Sequence, residues 1–159
     1  MNKEQDQHFI RMAIETGRRG MVENLGGPFG AVIVKDGVVI ARSSNRVTSI
    51  KDPTAHAEVM AIREACRVLD NFELKGCELY SSCEPCPMCL GAIYWARLDR
   101  VVYAASDEDA ARAGFDDQFI YEELDLPPEQ RSLPTRQILR EEGAQLFREW
   151  IAKEDRLEY

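Results

Sequence analysis

Cys83-Glu84-Pro85-Cys86-Pro87-Met88-Cys89 is the stretch around which the chain is organised, read together with His56-Ala57-Glu58. Cys77 to Ser81, just before it, reads as a strand, and Pro87 opens a helix to about Ala96, because proline suits the first helical position. Cys86 and Cys89 are three apart and share one face of that helix. His56 completes a His/Cys/Cys set with a fourth position open. That is the pattern of catalytic zinc, since structural zinc usually has all four positions filled by protein atoms. Glu58, two residues past the histidine, is the candidate to handle protons on a metal-bound water.

Working outward, Asp52-Pro53 supplies an N-cap and a proline at the first helical position. The helix predicted from there runs to about Leu69, burying Val59, Ile62, Ala65, Cys66 and Leu69, and holds His56 and Glu58 near its first turn. Phe29–Val34 and Val38–Arg42 are β-branched runs joined by Asp36-Gly37, a strong hairpin signal. Ser43 to Lys51 is a polar connection that contains Asn45. His8 to Arg19 has helical spacing, with Phe9, Met12, Ala13 and Thr16 on one side, and Gly17 and Gly20 are expected to weaken and stop it. Arg100 to Ala105 is apolar enough to be a buried strand. Pro127-Pro128 and Pro134 punctuate the end, Thr135–Leu139 is ambiguous, and Glu141–Lys153 carries Leu146, Phe147, Trp150 and Ile151 at helical spacing. The order of hairpin, helix, strand, helix, strand predicts an α/β layer fold with both ligand segments at neighbouring helix N-termini.

A chain of 159 residues suits a single domain, and 45% hydrophobic with 30% charged residues describes an ordinary soluble globule. No apolar run approaches the roughly 20 residues a membrane span needs. The polar, acid-bearing start does not read as a signal peptide. Of five cysteines, three fall within seven residues, the usage of a reduced intracellular protein that gives thiolates to metal, with Cys66 and Cys77 left for core or strand. The formal net charge is −8, and eight acids against one base, Arg112, lie between Asp107 and Asp125. Such a surface repels a phosphate backbone and favours a small uncharged substrate.

Thiolates at helix N-termini form readily, because the partial positive charge there lowers the thiol pKa. With three protein ligands, the fourth can be water, whose pKa zinc lowers to about 7. Other readings compete. A Cys-x-x-Cys pair alone is equally a structural or redox motif. The run Cys83, Cys86, Cys89 suggests an iron–sulfur site, but the fourth cysteine and the Cys-Pro ending are missing. A closed structural site of His56, Cys83, Cys86 and Cys89 leaves Glu58 without a purpose.

His56-Ala57-Glu58 with Pro85-Cys86-Pro87-Met88-Cys89 resembles the signature of the zinc-dependent nucleobase deaminases. Gly26 to Gly37, Asp52 to Glu58, Cys89 to Arg97 and Ala113-Gly114-Phe115-Asp116-Asp117 are similar to the bacterial guanine deaminases of the small, cytidine-deaminase-like type. The similarity runs over nearly the whole chain, including a terminal tyrosine. It implies a three-layer α/β/α fold with a central mixed five-stranded sheet, and a cytoplasmic homodimer whose C-terminal segment, about 134–159, is swapped between subunits. It also implies hydrolytic deamination of guanine, a small purine base, to xanthine and ammonia. His56, Cys86 and Cys89 would hold one zinc ion per subunit and Glu58 would shuttle protons. Asn45 would hydrogen-bond the base, Phe29 stack on it, and Asp117 meet the purine edge and assist proton transfer. Tyr159 would close the site from the neighbouring subunit. Neither nucleic acid nor membrane is implied as a partner.

Plainer roles stand beside each of these. Asn45 suits a turn, Phe29 the core, Asp116 and Asp117 a solvated loop or helix cap, and the tail a frayed end. His8 reads as a surface residue. The rival functions are a tRNA adenosine deaminase, which shares both motifs but needs a basic or aromatic grip on an anticodon loop, a deaminase of another aminated ring such as a triazine, and a structural zinc module.

Overall fold

A computed structural model of the chain describes residues 3–158. Tyr159, expected to close the site, lies outside them. The chain divides into two compact units, Met1–Asp117 and Gln118–Tyr159.

The first unit is built on the expected hairpin, β1 (Gly30–Lys35) and β2 (Val38–Ser44). Asp36 and Gly37 both take positive φ, 50° and 77°, as the tight two-residue turn between paired Lys35 and Val38 requires. β3 (Cys77–Cys83) pairs antiparallel with the other edge of β1, and β4 (Arg100–Ala105) pairs parallel with β3. The mixed sheet therefore has the order β2-β1-β3-β4, four strands among the described residues and not the expected five. Past Ala105, Ser106 caps the short helix α5 (Asp107–Arg112) through a capping box with Asp109, and Gly114 turns the chain at φ 89°. That acidic helical stretch offers no apolar alternation for a fifth strand.

Alternate residues of β1 face opposite layers. Val32 and Val34 meet Phe9 and Ala13 of α1 (Lys3–Val22), together with Tyr80 of β3. Ala31 and Ile33 face α3 (Ala57–Leu69) and α4 (Pro87–Trp95) on the other side, so three layers form as expected. α1 runs past Gly17, which was expected to weaken it, and Gly20, which was expected to stop it. Gly17 and Gly20 are buried on its inner face, where the helix backbone lies against the sheet. A Cβ on Gly30 would come within 2.2 Å of the Ala13 carbonyl oxygen and 2.4 Å of Gly17 N, so this crossing has room only for hydrogen. α1 is further tied down by Arg100, which donates to Asp6 at 2.7 Å, Glu78 at 2.8 Å and the Tyr80 hydroxyl at 2.8 Å.

Two other expectations change. Asp52 does not cap α3. Its Oδ1 accepts from Thr54 N and Oγ1, holding a turn, a single-turn helix α2 (Val47–Ile50) precedes it, and α3 begins only at Ala57. β4 is not a buried strand. It is the edge strand, with no fully buried residue and Tyr103 exposed.

The second unit contains α6 (Gln118–Asp125), a 3₁₀ turn (Pro128–Gln130) and α7 (Arg140–Ala152), which begins one residue before the predicted helix. Arg131 Nε donates to the Glu123 and Leu126 carbonyls, and Ser132 N donates to Glu123 Oε2 at 2.8 Å, so the turn is held at the end of α6. Leu146, Phe147 and Ile151 of α7 are exposed.

Candidate metal centre

The late start of α3 decides the geometry. His56 becomes its N-cap residue, with extended backbone (φ −67°, ψ 155°), and its side chain is not spent on capping. Cys86 plays the same part for α4 (φ −63°, ψ 167°), and Cys89 follows one turn later, fully buried. Both thiols thus converge on His56, whose Nδ1 lies 3.5 Å from Cys86 Sγ and 3.5 Å from Cys89 Sγ. A tetrahedral zinc with bonds of about 2.3 Å to sulfur and about 2.0 Å to nitrogen needs S···N edges of about 3.5–3.6 Å. The donor set and its spacing therefore fit zinc with three protein ligands. Among the described residues no further His, Cys, Asp or Glu joins the group. Cys83 turns away, its Sγ directed at the Ser106 carbonyl at 3.4 Å, so the closed four-ligand site is not formed.

Electrostatics follow from crowding these groups beneath two helix N-termini. The Cys86 thiol, which accepts from Cys89 and faces His56, is pulled well below the usual thiol range. Cys89, which gives that hydrogen bond and is buried, is pushed up. His56 is raised chiefly by its hydrogen bond to Cys86. Burial pushes the Cys83 thiol up to about 11, in keeping with a protonated bystander.

Glu58 is the second residue of α3 and is buried, 4% exposed. Its Oε2 lies 3.5 Å from Cys89 Sγ, and its Oε1 accepts from Ser81 Oγ at 3.0 Å. Burial raises its pKa above the usual carboxylate range. Asp117 is half-buried where Asp116 is exposed. Burial raises Asp117 as well, and its charge helps to raise His56 and Cys83.

The other candidates meet through the backbone. Asn45 N donates to the Phe29 carbonyl at 2.9 Å, and the next residue, Arg46 N, donates to Ala55 O at 2.9 Å, just before His56. Asn45 is buried, and its Oδ1 accepts from Gly27 N at 3.2 Å and Val47 N at 3.1 Å. The turn role is therefore real, and it fixes the amide with its NH2 giving to no protein group among the described residues. Phe29 packs against the core and also meets Phe115 edge-on, with centroids 4.9 Å apart. Three residues escaped the sequence reading, namely Ser81, Ser82, whose Oγ accepts from Gly30 N at 3.0 Å, and the ring of Phe115. Ser81 had a usable signal, because alternation from Cys77 and Leu79 puts it on the buried face, where a hydroxyl needs a partner.

Comparison with known proteins agrees with this geometry. The family described as cytidine and deoxycytidylate deaminase zinc-binding region matches residues 3–105, which contain all three donors and Glu58. Guanine deaminase of Bacillus subtilis (strain 168) is 54% identical over 95% of this chain and 97% of its own. An X-ray structure of guanine deaminase from Bacillus subtilis superimposes with a TM-score of 0.95 at 53% identity, covering 100% of this chain and 99% of that one. A tRNA-specific adenosine deaminase of Aquifex aeolicus (strain VF5) is 44% identical over 64% of this chain and 67% of its own.

Proposed function

The chain belongs to the cytidine and deoxycytidylate deaminase zinc-binding family, and from that premise we propose that it hydrolyses guanine to xanthine and ammonia in the cytoplasm, with one zinc ion per subunit. The observation that carries the reading is a buried carboxyl, Glu58, beside a His/Cys/Cys group with zinc spacing and no fourth protein donor among the described residues. His56, Cys86 and Cys89 would hold the zinc, which when bound would supply a Lewis acid and lower the pKa of water.

The chain's own residues do the rest. Glu58 takes a proton from the attacking water, passes one to the ring nitrogen and assists departure of the amine from C2 as ammonia. Its burial favours the protonated carboxyl, which suits a group that must hold a proton between two transfers. Asn45, with its carbonyl engaged by backbone, donates from its NH2 to the base. Phe29 stacks on the ring, an aromatic pair of about 0.5–1.5 kcal/mol beyond area burial. Asp117 accepts from the purine edge and assists the proton transfer.

The working unit is a homodimer in which the segment of about 134–159 is swapped, and Tyr159 closes the neighbour's site and excludes water. The exposed Leu146, Phe147 and Ile151 of α7 support a partner for that helix. Truncation before Leu157 tests this closure: activity falls if the tail covers the site, and unchanged activity removes the tail from the mechanism.

A tRNA adenosine deaminase would share the motifs, and a tRNA-specific relative matches 64% of the chain. The stretch from Asp107 to Asp125, with eight acids against one base, argues against an anticodon loop. Purified zinc-loaded protein incubated with guanine, adenine, cytosine, guanosine and an anticodon stem-loop separates the readings by ammonia release. Guanine alone is expected to react. Ammonia from the stem-loop but not from guanine would overturn the assignment, and none from any substrate at full zinc loading would favour a structural zinc module.

A further inference from the structure

Ser81 sits in the middle of β3, 1% exposed, opposite the fully buried Ala31 of β1 and one alternation beyond the fully buried Leu79. A hydroxyl in that setting contributes little packing that an alanine would not, and it persists only if its hydrogen bonds are made. Its Oγ donates to Glu58 Oε1 at 3.0 Å and accepts from Cys83 N at 3.5 Å, the longer and weaker of the two. The other oxygen of Glu58, Oε2, faces Cys89 Sγ at 3.5 Å, on the side of the metal-donor group. A zinc-bound Cys89 is a thiolate with no proton to give. Ser81 would then be the one side chain among the described residues left to donate to Glu58, and its 3.0 Å contact is already the shorter of the two.

We propose that Ser81 is a positioning residue that holds Glu58 by Oε1, so that Oε2 is the oxygen that takes the water's proton and hands it to the substrate. Without the hydroxyl, the carboxylate can rotate and exchange its two oxygens, and the fraction of time in which either is aligned for transfer falls. The proton count is that of the proposed reaction: guanine and water give xanthine and ammonia, and Glu58 ends as it began. The inference rests on that reaction.

The test compares wild type, Ser81→Ala and Ser81→Thr by guanine turnover, metal content and calorimetric binding of xanthine. Ser81→Ala is expected to lower kcat about 10–100-fold, the usual effect of losing a partner that orients a group at a metal site. KM, xanthine affinity and zinc content should stay within about twofold, because the hydroxyl touches neither base nor metal donor. Ser81→Thr restores the O–H and should recover most of kcat. A Ser81→Ala enzyme with kcat within about twofold of wild type overturns the role. So does a loss of kcat matched by an equal loss of zinc or xanthine binding, or a zinc-loaded Ser81→Thr enzyme as slow as Ser81→Ala. Wild type that carries zinc and binds xanthine but releases no ammonia from guanine overturns the reaction itself, and this role with it.

Discussion

At their N-termini α3 and α4 are near copies. Their cap residues, His56 and Cys86, share an extended backbone, neither side chain caps its own helix, and both turn toward the same point. Beyond the first turn the two helices diverge. α3 lays Ala57, Ala61 and Ala65 flush on the sheet, all 0% exposed. α4 is apolar around its circumference, yet it buries only Cys89 and Ile93 and leaves Tyr94 71% and Trp95 65% exposed. At this shared end neither cap side chain is spent on its own helix, so both are available to the candidate metal site. The partial positive charge of a helix N-terminus favours a thiolate there. The differing bodies show that one helix is finished by its own sheet, whereas the other presents an apolar face of a kind that marks an interaction surface.

The largest expected effect tests the shared end. Alanine at His56, at Cys86 or at Cys89 should each abolish zinc retention and, with it, turnover, as read by metal analysis and ammonia release. Full zinc in the Cys86→Ala protein would break the equivalence of the two caps. Next, Glu58→Gln separates binding from chemistry, because α3 alone adds an acid to its first turn. Zinc should stay, and kcat should fall about 10²–10⁴-fold. Normal ammonia release from that variant removes Glu58 from the mechanism.

The helix bodies predict smaller and opposite outcomes. Ala61→Leu forces bulk between α3 and the sheet and should destabilise the fold by about 1–3 kcal/mol in urea titrations. Trp95→Ser should change that stability by no more than about 1 kcal/mol, since the side chain is largely exposed and the Arg97 guanidinium over its ring is a surface contact. On the proposed homodimer it should instead shift sedimentation toward monomer. Unchanged association would show that the exposed face of α4 is not where subunits meet.

Much of the candidate site was legible because its signals are local. The spacing of Cys86 and Cys89, Pro87 at a helix start and Asp36-Gly37 at a turn each act within a few residues, and each is found where expected. Gly17 and Gly20 misled for the opposite reason. Glycine weakens an isolated helix, but in α1 its missing side chain permits an approach that the sheet imposes, and Gly30 across the gap belongs to a different element. Asp52-Pro53 likewise carries a helix-start signal, but its carboxylate closes a turn with Thr54 and leaves the cap to His56. That displacement of the helix start brings the imidazole to the thiols. The number of strands was misjudged because the fifth was an inference from resemblance, with no alternating segment of this chain behind it.

By itself, the sequence determined the candidate metal donors, the acid near them, the hairpin and the helix that follows Cys86, since each depends on residue chemistry and short-range spacing. Only the tertiary structure decided which oxygen of Glu58 is held, that Cys83 turns away, and that Asn45 is fixed by Gly27 and Val47. Those outcomes depend on the register of β3 against β1 and on where α3 lies across the sheet. Such placements are set by the packing of many residues at once, and no short window of sequence contains them.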